Sequence, residues 1–365
     1  MQKNIRAIGI GVLAAVWIGL ALFAWLTAPT EVSVSERRPL AQLPELSADA
    51  LLGGNFMENF EDYTVDQFPL RDTFRRAKSL YTYRVLQQKD NNGIYIADGS
   101  AAKLEYPMNT ASVSYAVKKM QFLYETYLQE TNSRIFLTVI PDKGYYLAAS
   151  NGYPAMDYET LFSQLKQGMP WAETVDVTKD LSADHYYRTD THWRQEKLQE
   201  IAKTLCSAMG VGEAQNLQPA LATDRFYGVY YGQAALPMEP DELYLMESDW
   251  LADCRVYNYE TGNYQPVYDL QKLSGMDPYE VYLSGSQALL RVENPHGKAG
   301  KELIVFRDSF ASALTPWLMQ EYETVTLVDI RYVGSALLGQ YLDFHGQDVL
   351  FAYSTLILNN STSMK

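Results

Sequence analysis

The stretch "LIVFRDSFASALTPWL" (303–318) is an apolar, β-branched run that halts at Arg307-Asp308-Ser309 and resumes with helical spacing. A continuous apolar run of this length is the pattern of a strand buried on both faces, which is characteristic of parallel sheets. The same kind of run recurs in "RIFLTVI" (134–140), "TVDVT" (174–178), "TVTLV" (324–328) and "DVLFAY" (348–353). Helical patterns lie between them, at about 111–130, 158–168 and 194–208. This alternation predicts an α/β domain over 91–365, a doubly wound and mostly parallel sheet. Residues 211–290, rich in Tyr, Gly, Asp and Pro, break the alternation and read as an inserted irregular segment near the sheet edge or over its active end.

The chain has 365 residues, 47% of them hydrophobic, which is ample for a full α/β core. Its formal charge of -14 repels phosphate polyanions, so nucleic acid is excluded as a partner. The 28 tyrosines suit either sugar stacking or half-buried strands.

Lys3 and Arg6 precede the uncharged stretch Ala7 to Ala28, long enough to cross a bilayer. The alternative, a cleaved signal peptide, would have a shorter apolar core and a small-x-small site, whereas Leu26-Thr27-Ala28 runs into Pro29. An uncleaved signal-anchor over 1–28 is therefore expected, in a single-pass protein of the cell membrane. Positive charge before the span keeps the N-terminus inside and the C-terminal domain outside the cytoplasm. Residues 29–90 divide into a proline-containing stalk to about 50 and a helical lead-in over 51–88, interrupted at Phe68-Pro69. Cys206 and Cys254 supply no disulfide framework and are read as unpaired or incidental.

Residues just beyond the C-terminal ends of parallel strands gather at one sheet edge. Ser309 occupies such a turn, with helix N–H groups behind it that suit an oxyanion; the alternative is a plain N-cap with Asp308 complementing the helix dipole. The loop "YYRTDTHWRQEK" (186–197) carries Asp190 and His192, a spacing that lets a carboxylate orient an imidazole base. A surface histidine with Asp190 as a helix cap is the competing reading. Among the four histidines only His192 combines a carboxylate two residues away with a helix start immediately after it. No Walker loop, G-x-G-x-x-G or C-x-x-C motif occurs, and Asp184, His185, Asp190 and His192 lack the spaced partners of a metal site. No cofactor and no metal are expected.

"TDTHW" (189–193) before a helix, and "ELIVFRDSFASALTPWL" (302–318) before "VTLVDIRYV" (325–333), resemble the DHHW family, SGNH hydrolase-like domains related to the alginate O-acetylation proteins. "SERRPLAQLPEL" (35–46), "YTVDQFPLRD" (63–72) and "NGIYIADG" (92–99) resemble the stretch that precedes the catalytic domain in that family. The resemblance implies an SGNH/flavodoxin-like sheet and a Ser-His-Asp triad of Ser309, His192 and Asp190, with oxyanion stabilisation by backbone N–H groups after Ser309. It implies acetyl transfer to a cell-surface polysaccharide or other acetylated glycan, together with an integral-membrane partner that exports the acyl group. An acetyl-esterase using the same triad, or a non-catalytic glycan-binding or envelope scaffold protein, are the alternatives. Arg331 and Lys143, each just past a strand, are candidates for substrate binding or for structural ion pairs. The oxyanion asparagine of SGNH enzymes has no counterpart in Leu283-Ser284-Gly285-Ser286.

Overall fold

The computed structural model describes residues 2–365, with side chains from Arg6 onward; the side chain of Lys3 lies outside the described residues. The chain divides into two compact units, residues 1–91 with 232–237, and residues 92–231 with 238–365.

The first unit begins with helix α1 (Gln2–Leu26), whose Arg6–Leu26 portion is apolar and long enough to cross a membrane. Two further helices, α2 (Asn55–Asp66) and α3 (Arg71–Arg84), are separated at Pro69, whose ring cannot continue a helix; Leu70 turns the chain at a φ of 59°. Polar contacts hold this unit. Asp66 accepts from both terminal nitrogens of Arg38, at 2.7 and 2.6 Å, and from the Ala41 amide at 2.9 Å. Arg38 accordingly holds the Asp66 carboxyl down at about 2. Residues 29–41 are thus tied to α2 by side-chain bonds that leave no apolar period in the sequence.

The second unit is built on one eight-stranded sheet. Its strands are β1 (Ile135–Ile140), β2 (Glu173–Thr174), β3 (Arg255–Asn258), β4 (Asn263–Gln265), β5 (Leu289–Glu293), β6 (Lys298–Arg307), β7 (Tyr322–Val328) and β8 (Asp348–Ser354), in the spatial order β4-β3-β5-β7-β6-β8-β1-β2. The five strands from β7 to β2 are parallel, and β5, β3 and β4 extend them antiparallel. Central β6 pairs Leu303 with Val325 on one side and with Asp348 on the other.

Period-two alternation sends Leu303 and Val305 into one core and Ile304 and Phe306 into the other. Each contributes roughly 1.5–3 kcal/mol by burial. On the Leu303 side pack α6 (Gln199–Ala208) and α7 (Phe310–Leu318); on the Ile304 side pack α4 (Thr110–Leu123) and α5 (Tyr158–Gly168). Every residue of α7 is buried, its two hydroxyl residues being hydrogen-bonded, Ser312 to Arg307 and Thr315 to the Ala311 carbonyl.

Residues 211–290 correct the reading of an irregular insertion. They supply β3 and β4 of the main sheet and, by Gln218–Phe226 pairing with Asp241–Glu247, a separate antiparallel hairpin. Strands of three or four residues are too short to register as periodic segments. Of "TVDVT" only Thr174 lies in a strand, the two-residue β2, and the helix read from 194 starts at Gln199, after a single 3-10 turn over Gln195–Lys197. Cys206 and Cys254 are buried and unpaired, and burial pushes each thiol up to about 12.

Candidate active site

The C-terminal ends of β1, β6, β7 and β8 deliver Pro141-Asp142-Lys143, Asp308-Ser309, Asp329 and Ser354-Thr355 to one edge of the sheet. The two central turns are bonded there. Asp308 accepts from the Ser354 amide at 2.7 Å, and Thr355 donates its hydroxyl to Asp142 at 2.8 Å.

Ser309 stands at the N-cap position of α7, yet its hydroxyl makes no capping bond. Asp308 takes that task, its carboxylate accepting from the Phe310 amide at 3.0 Å. The Ser309 Oγ is thereby available to His192 Nε2, 2.8 Å away. His192 Nδ1 lies 2.6 Å from Asp190 Oδ1, and the carboxylate, an acceptor only, assigns the proton to Nδ1 and leaves Nε2 to accept from the serine. The chain Asp190–His192–Ser309 is one line of hydrogen bonds, with Asp190 fully buried, His192 8% exposed and Ser309 half-buried.

The 185–194 loop is closed on itself. Arg194 donates its amide to the His185 carbonyl at 2.7 Å and Tyr187 donates to the His192 carbonyl at 3.1 Å. Asp190 Oδ1 also accepts from the His192 amide at 3.0 Å, while Oδ2 accepts from the Val229 amide at 2.8 Å. That last bond requires contact at Gly228, where a Cβ would fall 2.2 Å from the Asp190 Cβ. Buried Asp241 gathers the preceding residues, accepting from the amides of Arg188 and Thr189 at 2.9 and 2.8 Å and from the Thr189 hydroxyl at 2.6 Å. The loop is also fastened to α7. Trp193 donates its indole N–H to the Phe310 carbonyl at 2.9 Å, Gln195 donates to Ala313 at 2.9 Å, and Trp317 donates back to Gln195 at 3.0 Å.

Arg307 answers why a buried strand ends in charge. It is fully buried, donates to the Ser312 hydroxyl at 3.0 Å and to the Asp308 carbonyl at 3.4 Å, and sits in the field of Asp329 and Asp308. Burial pushes its guanidinium down from the ordinary value, against the attraction of Asp329.

Lys143 and Arg331, the candidates for substrate binding or for structural ion pairs, both have partners within the protein. Lys143 is 2% exposed and donates to the carbonyls of Tyr187 and Arg188 at 2.7 and 3.3 Å, beneath the loop that carries Asp190. Its ammonium reaches backbone, not solvent. Burial pulls it down to about 7, opposed by Asp190, Asp241 and Asp142. Arg331 is engaged by Asp329 through two bonds of 2.8 and 2.6 Å, a bidentate ion pair that raises the guanidinium despite burial. The amides after Ser309 are also engaged: Phe310 bonds the Asp308 carboxylate, Ala311 the Asp308 carbonyl and Ser312 the Ser309 carbonyl.

Gly228, Asp241 and Tyr279, whose ring lies on His192, were not singled out in the sequence. Gly228 and Tyr279 lie in "FYGVYYGQ" (226–233) and "YEVYLSGS" (279–286), the more ordered stretches of that irregular region, but nothing local ties either to His192 or Asp190.

The DHHW protein family model matches residues 150–328. Residues 150–328 belong to the DHHW family. A solved DHHW family protein from Eubacterium siraeum is similar to the chain at 21% identity, covering 75% of this chain and 95% of its own, with a TM-score of 0.60. Bacillus cereus PatB1 is similar at 17% identity over 73% of this chain and 96% of its own, with a TM-score of 0.58. A second PatB1 structure, with a sulfonyl adduct, aligns at 16% identity over 73% and 94%, with a TM-score of 0.54. At these identities the likeness establishes the shared fold. None of the curated proteins matches the chain.

Proposed function

We propose that this DHHW protein is a membrane-anchored, extracytoplasmic serine O-acyltransferase that moves acetyl groups onto a cell-surface polysaccharide. The observation that carries the reading is the hydrogen-bonded line from Asp190 through His192 to the Ser309 hydroxyl, at 2.6 and 2.8 Å. A serine with a base at this distance, and a base oriented by a buried carboxylate, is the arrangement of nucleophilic acyl transfer. Ser309 Oγ attacks the donor carbonyl while His192 Nε2 takes its proton. The imidazolium, stabilised by Asp190, then protonates the leaving group, so that an acyl ester forms on Ser309. His192 next removes the proton of an acceptor hydroxyl, which attacks that ester and regenerates the serine.

The apolar helix Arg6–Leu26 supports anchoring, and Lys3 and Arg6 before it favour a catalytic unit outside the cytoplasm, next to glycan acceptors. In that location the acetyl donor is delivered by an integral-membrane partner that exports the acyl group. A sulfonyl adduct is recorded for PatB1, which makes a sulfonyl fluoride the natural probe here. Phenylmethanesulfonyl fluoride should modify Ser309 with loss of fluoride, and acetyl from 4-nitrophenyl acetate should pass to an added oligosaccharide in preference to water. Adduct formation undiminished in Ser309→Ala overturns the reading; acetate as the sole product, at any acceptor concentration, converts it to an esterase. One observation favours a non-catalytic glycan-binding role: the engaged amides of Phe310 to Ser312 leave the oxyanion without those donors. Absence of both adduct and acetyl turnover would decide for it.

A further inference from the structure

Tyr279 lies in the 3-10 turn Pro278–Val281, within the stretch first read as irregular, and is 4% exposed. Its ring is stacked face to face on the imidazole of His192, with centroids 3.7 Å apart and planes 7° from parallel. Phe310 lies beside the same imidazole at 5.0 Å and 52°. The Tyr279 hydroxyl donates to the carbonyl of Ser309 at 3.5 Å, so one side chain touches both the base and the backbone of the nucleophile.

We propose that Tyr279 is a positioning residue for the acyl-transfer reaction, holding the His192 ring plane in line with Ser309 and presenting its π face to the imidazolium. This role rests on the function proposed above. The physical case has three parts. First, a histidine attached to its carboxylate by one ring nitrogen can still tilt about that bond, and a parallel ring at contact distance removes the tilt. Second, proton transfer creates a cation on a histidine that is 8% exposed, where the negative face of an aromatic ring is worth more than at the surface. Third, Tyr279 is itself immobilised: Tyr282 and Tyr187 pack edge-on against it at 4.9 and 6.4 Å, and Tyr282 is pinned by its hydroxyl to the Tyr244 carbonyl at 2.6 Å. Part of the tyrosine richness of this chain therefore serves as scaffolding behind the base rather than as a sugar platform.

The test uses the full chain in lipid nanodiscs, with histidine labelled by 13C at Cε1 and the His192 resonance assigned by its loss in His192→Gln. Ring-current shielding should place that resonance upfield of the other three histidines. Tyr279→Leu should move it downfield and slow phenylmethanesulfonyl adduct formation on the order of 10- to 100-fold, the scale of a misplaced catalytic group. Tyr279→Phe, which keeps the ring and loses the hydroxyl, should restore the upfield position and react on the order of tenfold faster than Tyr279→Leu. If the wild type reacts and Tyr279→Leu reacts equally fast, the role of Tyr279 is overturned and the function stands. If the wild type takes no adduct, the function itself fails, whatever the resonance does. Should Tyr279→Leu not fold, a wild-type His192 resonance without the upfield displacement overturns the stack directly, and an upfield one retained in Tyr279→Phe supports it.

Discussion

Ser309 Oγ and His192 Nε2 stand 2.8 Å apart across 117 positions of sequence, joined because β6 and the 185–194 loop end at the same edge of the sheet. The serine reaches the histidine because a neighbour relieves it of capping: Asp308 holds the Phe310 amide, and α7 starts without the Ser309 hydroxyl. Replacing Ser309 by Ala should abolish sulfonyl adduct formation, measured by intact mass. His192→Ala should slow it by about 10³-fold or more, and Asp190→Asn, which disturbs the tautomer, by a comparable factor. Wild-type rates in either partner variant would sever the line of bonds from the chemistry.

Gly228 admits the Val229 amide to Asp190 only because it has no side chain. In Gly228→Ala the added methyl meets Asp190 at 2.2 Å from its Cβ, against backbone as well as side chain. Displacement of the loop should cost about 1–3 kcal/mol in a denaturation experiment and lower the adduct rate with it. An unchanged melting curve would mean that the two segments separate at no cost.

Asp241 accepts four bonds from Arg188 and Thr189, the two from Thr189 fully buried. Asp241→Ala leaves two backbone N–H groups without an acceptor and should destabilise the second unit by about 2–4 kcal/mol. Urea unfolding monitored by near-ultraviolet circular dichroism is the measurement; a shift below about 0.5 kcal/mol would contradict the contact.

Lys143 makes stability depend on pH in a definite direction. Its folded value, about 7 by burial, lies below its ordinary value of 10.5. Between these limits the unfolded chain binds more protons than the folded one, so this residue's contribution to stability rises with pH across that window and is least favourable below pH 7. Lys143→Met lacks the term. The Tm difference, wild type minus variant, should therefore grow from pH 7 to pH 9 by several degrees. A constant difference would show that the ammonium titrates at its ordinary value.

Arg331 should behave as a structural residue. Its bidentate bond to Asp329 predicts that Arg331→Met lowers the Tm while leaving the KM for 4-nitrophenyl acetate within about twofold, read from initial rates. A KM increased tenfold at unchanged Tm would return Arg331 to the substrate.

The long apolar runs at 134–140, 303–306, 324–328 and 348–353 were legible because a strand covered on both faces needs unbroken hydrophobicity, and these four form β1, β6, β7 and β8 at the centre of the sheet. β3 and β4 were not, since strands of three or four residues towards the edge of the sheet carry tyrosines and polar residues that suit a loop equally well. Lys143 and Arg331 were legible as residues beyond strand ends and illegible in their partners, because a strand end places a side chain at an edge without saying whether it points out or in.

By itself the sequence determined the α/β alternation, the apolar amino-terminal helix and the residue types at the strand ends, since each is a local pattern of burial or charge. It also placed Asp190, His192 and Ser309 at turns. Only the tertiary structure decided which groups meet: Asp308 rather than Ser309 as the helix cap, Tyr279 on the imidazole, Gly228 against Asp190, and Lys143 beneath the loop. Apart from the local Asp308 cap, these pairings join segments far apart in the chain, and packing in three dimensions, not spacing along it, selects one partner among many of the same chemistry.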